Sequence, residues 1–289
     1  MYTIENEYLS ATINEKGAEL TSLVYKPSGQ EYMWNADPNY WGKHSPVLFP
    51  IVGTLKDNTF FYKNNSYQLS RHGFARDKVF EVTAQTADSI NLTLRDDSET
   101  LKNYPFQFQF SLIYTLEEKR ISVTYLVKNL NNDEMFFSVG GHPAFKVPLA
   151  EGLAYEDYYL QFSAIENAGR WPISSDGLLE ERPVELLSNT NRLPLSKKLF
   201  AQDALVFKSL ASTEVALKSD KDAAGFSFKF EGFPYLGIWA AKEADFVCIE
   251  PWCGIADSVS ASQRIEEKEG IIMLNKGAHF ERTWSVEIY

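Results

Sequence analysis

From Phe106 to Val127 the chain alternates. Phe106, Phe108, Phe110, Leu112 and Tyr114 fall on one face, and Gln107, Gln109, Ser111 and Thr115 on the other. After the polar turn Glu117-Glu118-Lys119-Arg120, residues Ile121, Val123, Tyr125 and Val127 resume the pattern against Ser122, Thr124 and Lys128. A period of two is that of a pleated strand with one buried face. The segment is therefore expected to form an antiparallel hairpin over a core. Beyond the polar stretch from Asn129 to Glu134, Met135 to Val139 begins a third strand that runs into Gly140-Gly141-His142.

Comparable strand signals run from Tyr8 to Tyr25, from Val79 to Leu94 and from Ala204 to the C-terminus. Only Ser98 to Tyr104 reads as helical, with Ser98 as its N-cap and Pro105 as its stop. The Gly- and Pro-punctuated stretch from Ala150 to Gln202 is expected to be long irregular loops. Neither a linker nor a repeat interrupts residues 1–289. The reading is one all-β domain, a large antiparallel β-sandwich. Hydrophobic residues at 44% and aromatics at 14% suffice for its core.

A net charge of −11 argues against nucleic acid or an anionic membrane as partner, since either requires a basic surface. The mixed run Glu266-Glu267-Lys268-Glu269 reads as a solvated turn. With no run of 18 apolar residues and no signal-like start, the chain is expected to be soluble and cytoplasmic. Cys248 and Cys253 read as buried thiols of a reducing compartment flanking a Glu250-Pro251 turn.

Three contexts carry titratable groups beside glycine, proline or an aromatic ring. They are Arg71-His72-Gly73-Phe74-Ala75-Arg76, Gly140-Gly141-His142-Pro143 and Glu250-Pro251-Trp252. Glu250 shares a strand face with Phe246 and Cys248, where an apolar neighbourhood raises a carboxyl pKa and makes it a better base. A carboxylate and an imidazole together remove one proton and supply another. Each residue also has a structural explanation taken alone, as a strand-end charge, a turn histidine or a loop held by ion pairs. His44, His279 and Asp203 gain no role from their surroundings. No phosphate loop, nucleophile elbow or metal-ligand spacing is present.

In combination, the stretch Ser45-Pro46-Val47-Leu48-Phe49-Pro50-Ile51-Val52-Gly53, His72-Gly73-Phe74-Ala75-Arg76, Gly141-His142-Pro143-Ala144-Phe145, Asp203 and Glu250-Pro251-Trp252 resemble the aldose 1-epimerase (galactose mutarotase-like) superfamily, and most of all its LacX-type branch. The resemblance implies a β-supersandwich with a sugar cleft across one sheet. It implies Glu250 as general base at the anomeric hydroxyl, His142 as general acid at the ring oxygen, and His72 and Asp203 as sugar-holding residues. No metal or other cofactor is implied. Related chains commonly carry an Arg near the position of Thr54, where the nearest cation here is Lys56. A hexose is the expected substrate. A hexose phosphate is the alternative, with Arg76, Arg71 and Lys56 as its anion site, and a non-catalytic sugar-binding protein is a third reading that Glu250 and His142 together disfavour.

Overall fold

The alternation at 106–127 produces the centre of the molecule. In the computed structural model, which describes residues 1–289, Phe108–Glu117 and Arg120–Asn129 pair antiparallel from Phe108 opposite Asn129 to Glu117 opposite Arg120. Around them lies a nine-stranded sheet, in spatial order Val184–Pro194, Tyr158–Arg170, Glu214–Ser219, Phe226–Lys229, His279–Ile288, Arg120–Asn129, Phe108–Glu117, Ser89–Arg95 and Glu81–Gln85. The face bearing Phe108, Phe110, Leu112, Val123 and Tyr125 is buried in a hydrophobic cluster of 71 residues.

The other side of this cluster is a six-stranded sheet. Its path runs through Leu205–Phe207, Tyr235–Trp239, Phe246–Cys253, Val139–Gly141 and Val47–Leu48, with Ala144–Lys146 also paired to Phe246–Cys253. Two such layers, packed face to face and built of antiparallel strands, make the all-β sandwich expected from the sequence. Val247, Ile249 and Cys253 belong to the large cluster, whereas Trp252 belongs to a separate cluster of 8 residues. The central strand thus serves an interior on one face and a second apolar layer on the other.

Two expectations fail here. The region 150–202 is not loop: Tyr158–Arg170 and Val184–Pro194 form a long antiparallel pair at the edge of the large sheet. Three register shifts between Gln161 and Gly169 break its period, and Pro194 is tolerated because Val184–Pro194 is an edge strand. The helix is shorter than expected, Thr100–Asn103, and Asp97 rather than Ser98 caps it, accepting hydrogen bonds from the N–H groups of Glu99 at 2.8 Å and Thr100 at 2.7 Å.

Candidate active site

His142 follows a strand that only glycine can make. A Cβ on Gly140 would lie 2.8 Å from Cδ1 of Trp252, and one on Gly141 would lie 2.5 Å from Oη of Tyr125. That hydroxyl is fixed from the large sheet, where Trp284 Nε1 donates to it at 2.7 Å. Gly140 therefore makes room for the Trp252 side chain on the neighbouring strand, Gly141 allows close approach between the sheets, and together they deliver His142 to the far side.

Glu250 does not end its strand, contrary to the turn expected at Glu250-Pro251. Phe246–Cys253 runs on through the proline, pairing along one edge with Tyr235–Trp239. Along its other edge Ala144–Lys146 pairs as far as Cys248, Val139–Gly141 resumes at Trp252, and His142-Pro143 falls in the break between them. Ile249 N–H donates across this edge to the Pro143 carbonyl at 3.3 Å, so the nitrogen of Pro251, two residues on, points to the same edge, at the break. A missing N–H costs nothing there. The same break sets His142 Nε2 3.2 Å from Glu250 Oε2.

The pair lies at the bottom of a cleft of about 560 Å³, and all five residues singled out in the sequence, Glu250, His142, His72, Asp203 and Arg76, line it. Six of the eight residues of the smaller apolar cluster, Leu179, Ala204, Val206, Trp252, Ile255 and Ala256, line it too. Only 2% of the Glu250 side chain and 12% of that of His142 reach solvent. Burial holds the Glu250 carboxyl well above the usual carboxylate range, opposed by Arg71, reinforced by Asp203 and eased by the Trp252 indole. Burial also holds the His142 imidazole well below its ordinary value, opposed by its own backbone and reinforced by Arg71 and Arg76. Both shifts favour a neutral arrangement in which the pair carries a single proton.

His142 is held by rings. Trp41 stacks on it at 5.0 Å between centroids, and Trp239 at 5.6 Å and His72 at 5.8 Å meet it edge-on. No hydrogen bond reaches its buried Nδ1. Nothing in the sequence marks Trp41 or Trp239.

His72 and Asp203 have positive φ, +69° and +78°, unusual for residues with a Cβ. His72 is locked by a reciprocal exchange: its N–H donates to Gly53 O at 2.9 Å, and Gly53 N–H donates to its Nδ1 at 3.1 Å. With Nδ1 accepting, the neutral ring carries its hydrogen on Nε2. Burial, followed by His142, Arg71 and Arg76, keeps the ring neutral by lowering its pKa well below the ordinary value. Asp203 accepts from the Ala204 N–H at 2.7 Å and lies 3.9 Å from Arg71 Nη2.

Of the three cations expected at an anion site, Arg71 and Arg76 line the cleft and Lys56 does not. Arg76 donates through Nη2 to the Arg71 carbonyl at 2.8 Å, and its Nε lies 3.8 Å from Asp77, so it braces its own loop while lining the cleft. Lys56 is not at the site: its Nζ donates to the Val259 carbonyl at 3.0 Å. Lys242, which sequence reasoning missed, joins Arg71 and Arg76 on the cleft. Lys268, read as part of a solvated turn, is buried, donating to Ile255 O at 2.6 Å and Asp257 Oδ1 at 2.7 Å. This pair ties residues 255–257, next to the cleft floor, to the turn at 268. The ligand atoms of His142, Glu250 and the free thiol of Cys248 all lie within 4.8 Å of one another, a set able to hold a metal ion.

Comparison with known proteins agrees with this arrangement. The family model described as aldose 1-epimerase matches residues 1–279. The chain is 35% identical over 274 residues to the chromosomal LacX protein of Lactococcus lactis, covering 92% of this chain and 91% of that protein. A solved structure described as a galactose mutarotase related enzyme, from Lactobacillus acidophilus, superposes with a TM-score of 0.95 at 38% identity, covering 100% of this chain and 97% of that one. A galactose mutarotase-like protein from Lactobacillus casei gives 0.93 at 31% identity, with 100% of both chains covered. The cleft, its neutral acid–base pair and these similarities converge on one assignment: the chain belongs to the aldose 1-epimerase family.

Proposed function

We propose that the protein is a mutarotase, interconverting the α and β anomers of a free hexose through Glu250 and His142. The observation that carries this reading is the buried 3.2 Å contact between the two side chains on the floor of a cleft lined by aromatic rings and hydrogen-bonding groups. The reaction needs a proton removed from O1 and one delivered to O5, two oxygens on the same carbon, so acid and base must lie side by side. Glu250 takes the O1 proton as His142 gives its proton to O5. The ring opens to an aldehyde, C1–C2 rotates, and closure runs the transfers in reverse.

Closed sugar with carboxylate and imidazolium differs from open aldehyde with carboxylic acid and imidazole only in where protons sit. Burial favours the second arrangement and so stabilises the ring-opened state, in which no separated charges have to be solvated. The Nε2–H of His72 supplies a donor to a sugar oxygen and the Asp203 carboxylate an acceptor, while Trp41, Trp239 and Trp252 offer apolar faces to the C–H side of the ring. All of this is side-chain chemistry, and no cofactor enters any step.

Arg71, Arg76 and Lys242 on the cleft of a protein of net charge −11 support a second reading, in which the same chemistry acts on a hexose phosphate. Polarimetry of freshly dissolved aldoses and their 6-phosphates, each beside a spontaneous-mutarotation blank, tests both. Acceleration of a free aldose supports the first reading, acceleration of a phosphate alone transfers the assignment to the second, and acceleration of neither refutes both.

A further inference from the structure

Cys248 has no part in the proton transfers, yet its side chain lies at the site. It precedes Glu250 by two residues on Phe246–Cys253, so both point to the same face, and its thiol is fully buried and unbridged. Its Sγ, a Glu250 carboxylate oxygen and a His142 ring nitrogen all lie within 4.8 Å of one another. Glu250 Oε2 is buried without any hydrogen-bond partner, on a side chain that is 2% exposed.

Thiol, imidazole and carboxylate from three side chains, with a fourth direction open, match the ligand set of zinc-type sites. Bonds of about 2.0–2.3 Å in a tetrahedron set ligand atoms roughly 3.4–3.6 Å apart. His142 Nε2 and Glu250 Oε2, at 3.2 Å, are already near that spacing. The sulfur has to close by about an ångström at most, within reach of a side-chain torsion. Hard cations such as Mg²⁺ and Ca²⁺ fit poorly, because they need six or more oxygen ligands and this face offers a single carboxylate. The open direction is the cleft, which Glu250 and His142 line and Cys248 does not. A cation therefore enters by the route the sugar takes.

We propose that His142, Cys248 and Glu250 form a binding site for a thiophilic divalent cation such as Zn²⁺, which excludes the sugar and turns the acid–base pair off. The inhibitory half rests on the mutarotase reading above, and the binding half does not. Co²⁺ is the probe for binding, added to the purified full chain. The expected result is one equivalent bound, with a near-ultraviolet thiolate-to-cobalt charge-transfer band that Zn²⁺ displaces. The band is lost in both Cys248→Ser and Cys248→Ala and kept in Cys253→Ser, which removes the other buried thiol.

In the activity assay Zn²⁺ inhibits wild type, excess sugar relieves the inhibition and a chelator reverses it. Cys248→Ser needs about tenfold or more Zn²⁺ for the same inhibition, equivalent to at least about 1.4 kcal/mol of metal binding. Its metal-free turnover stays within about twofold of wild type, because the thiol is outside the proton path. No charge-transfer band in wild type, a band that survives both Cys248 substitutions, or Zn²⁺ inhibition unaltered by them would overturn the proposal. If no sugar is turned over at all, the cobalt band still decides the site, so the two readings fail separately.

Discussion

Replacing Glu250 by Gln separates chemistry from architecture more cleanly than any other change in this protein. The side chains have the same shape, so the contact with His142 and the packing beneath Trp252 are kept. The carboxyl is buried, one of its oxygens has no partner, and its pKa is already pushed up by burial. A neutral amide therefore removes little that stabilises the fold. The expected thermal midpoint lies within about 3 °C of wild type, equivalent to about 1 kcal/mol for a chain of this size. Sugar affinity, read from quenching of the cleft tryptophans Trp41, Trp239 and Trp252, should stay within about threefold. Turnover should fall by about 10²–10⁴, the usual contribution of a positioned general base, which raises the barrier by about 2.7–5.5 kcal/mol. The assay is polarimetric, at saturating sugar, with the uncatalysed rate subtracted. Near wild-type mutarotation by folded Glu250→Gln would refute the assignment of the base and, with it, the proton path.

His142→Ala should cost about 10² or more in turnover, whereas His279→Ala, at an exposed position at the start of a strand of the large sheet, should stay within about twofold; equal losses would mean that the acid is elsewhere. Arg76→Ala, assayed at low salt, should affect a free hexose and its 6-phosphate by similar factors, since the guanidinium braces the Arg71 carbonyl. A wild-type preference for the phosphate that drops by about 10–100-fold in the variant, the loss of a charge-assisted bond of about 1.5–3 kcal/mol, would transfer the assignment to sugar phosphates. Lys268→Met leaves the Asp257 carboxylate buried without its cation and should lower unfolding free energy by about 3–5 kcal/mol in urea titration. Full stability of that variant would show that the pair contributes nothing to the turn beside the cleft.

The sheet layers were legible in the sequence because period-two alternation is imposed by burial of one face, and it holds wherever a strand has one wet side. It weakens where that condition fails. Every residue of Phe246–Cys253 is buried, so alternation there could not show that the strand continues past Pro251. In Tyr158–Arg170 the register shifts put like residues on unlike faces, and glycine and proline punctuation outweighed the strand signal. Lys268 misled for a related reason. Its three acidic neighbours suggest a wet turn, and only the fold brings the Ile255 carbonyl and the Asp257 carboxylate to its ammonium group.

Glu250 and His142, the proposed acid–base pair, could be singled out because each sits in a local context with few other uses, glycines that permit close approach and a proline at a break in pairing. The groups that tune the pair could not, because they arrive from distant parts of the chain and carry no local mark. Trp41 and Trp239 hold the imidazole by ring contacts, while its Nε2 faces Glu250 and its Nδ1 has no partner. His72 shows the opposite solution. Its Nδ1 is engaged by Gly53, its backbone is held in the left-handed region at a cost of about 1–3 kcal/mol, and its Nε2–H is left as a fixed donor. Under the proposed mechanism, a residue that only donates can be locked in this way, whereas one that gains and loses a proton on every turnover cannot. The two imidazoles, 5.8 Å apart, are thus built into the cleft by different means, as the different work proposed for them requires.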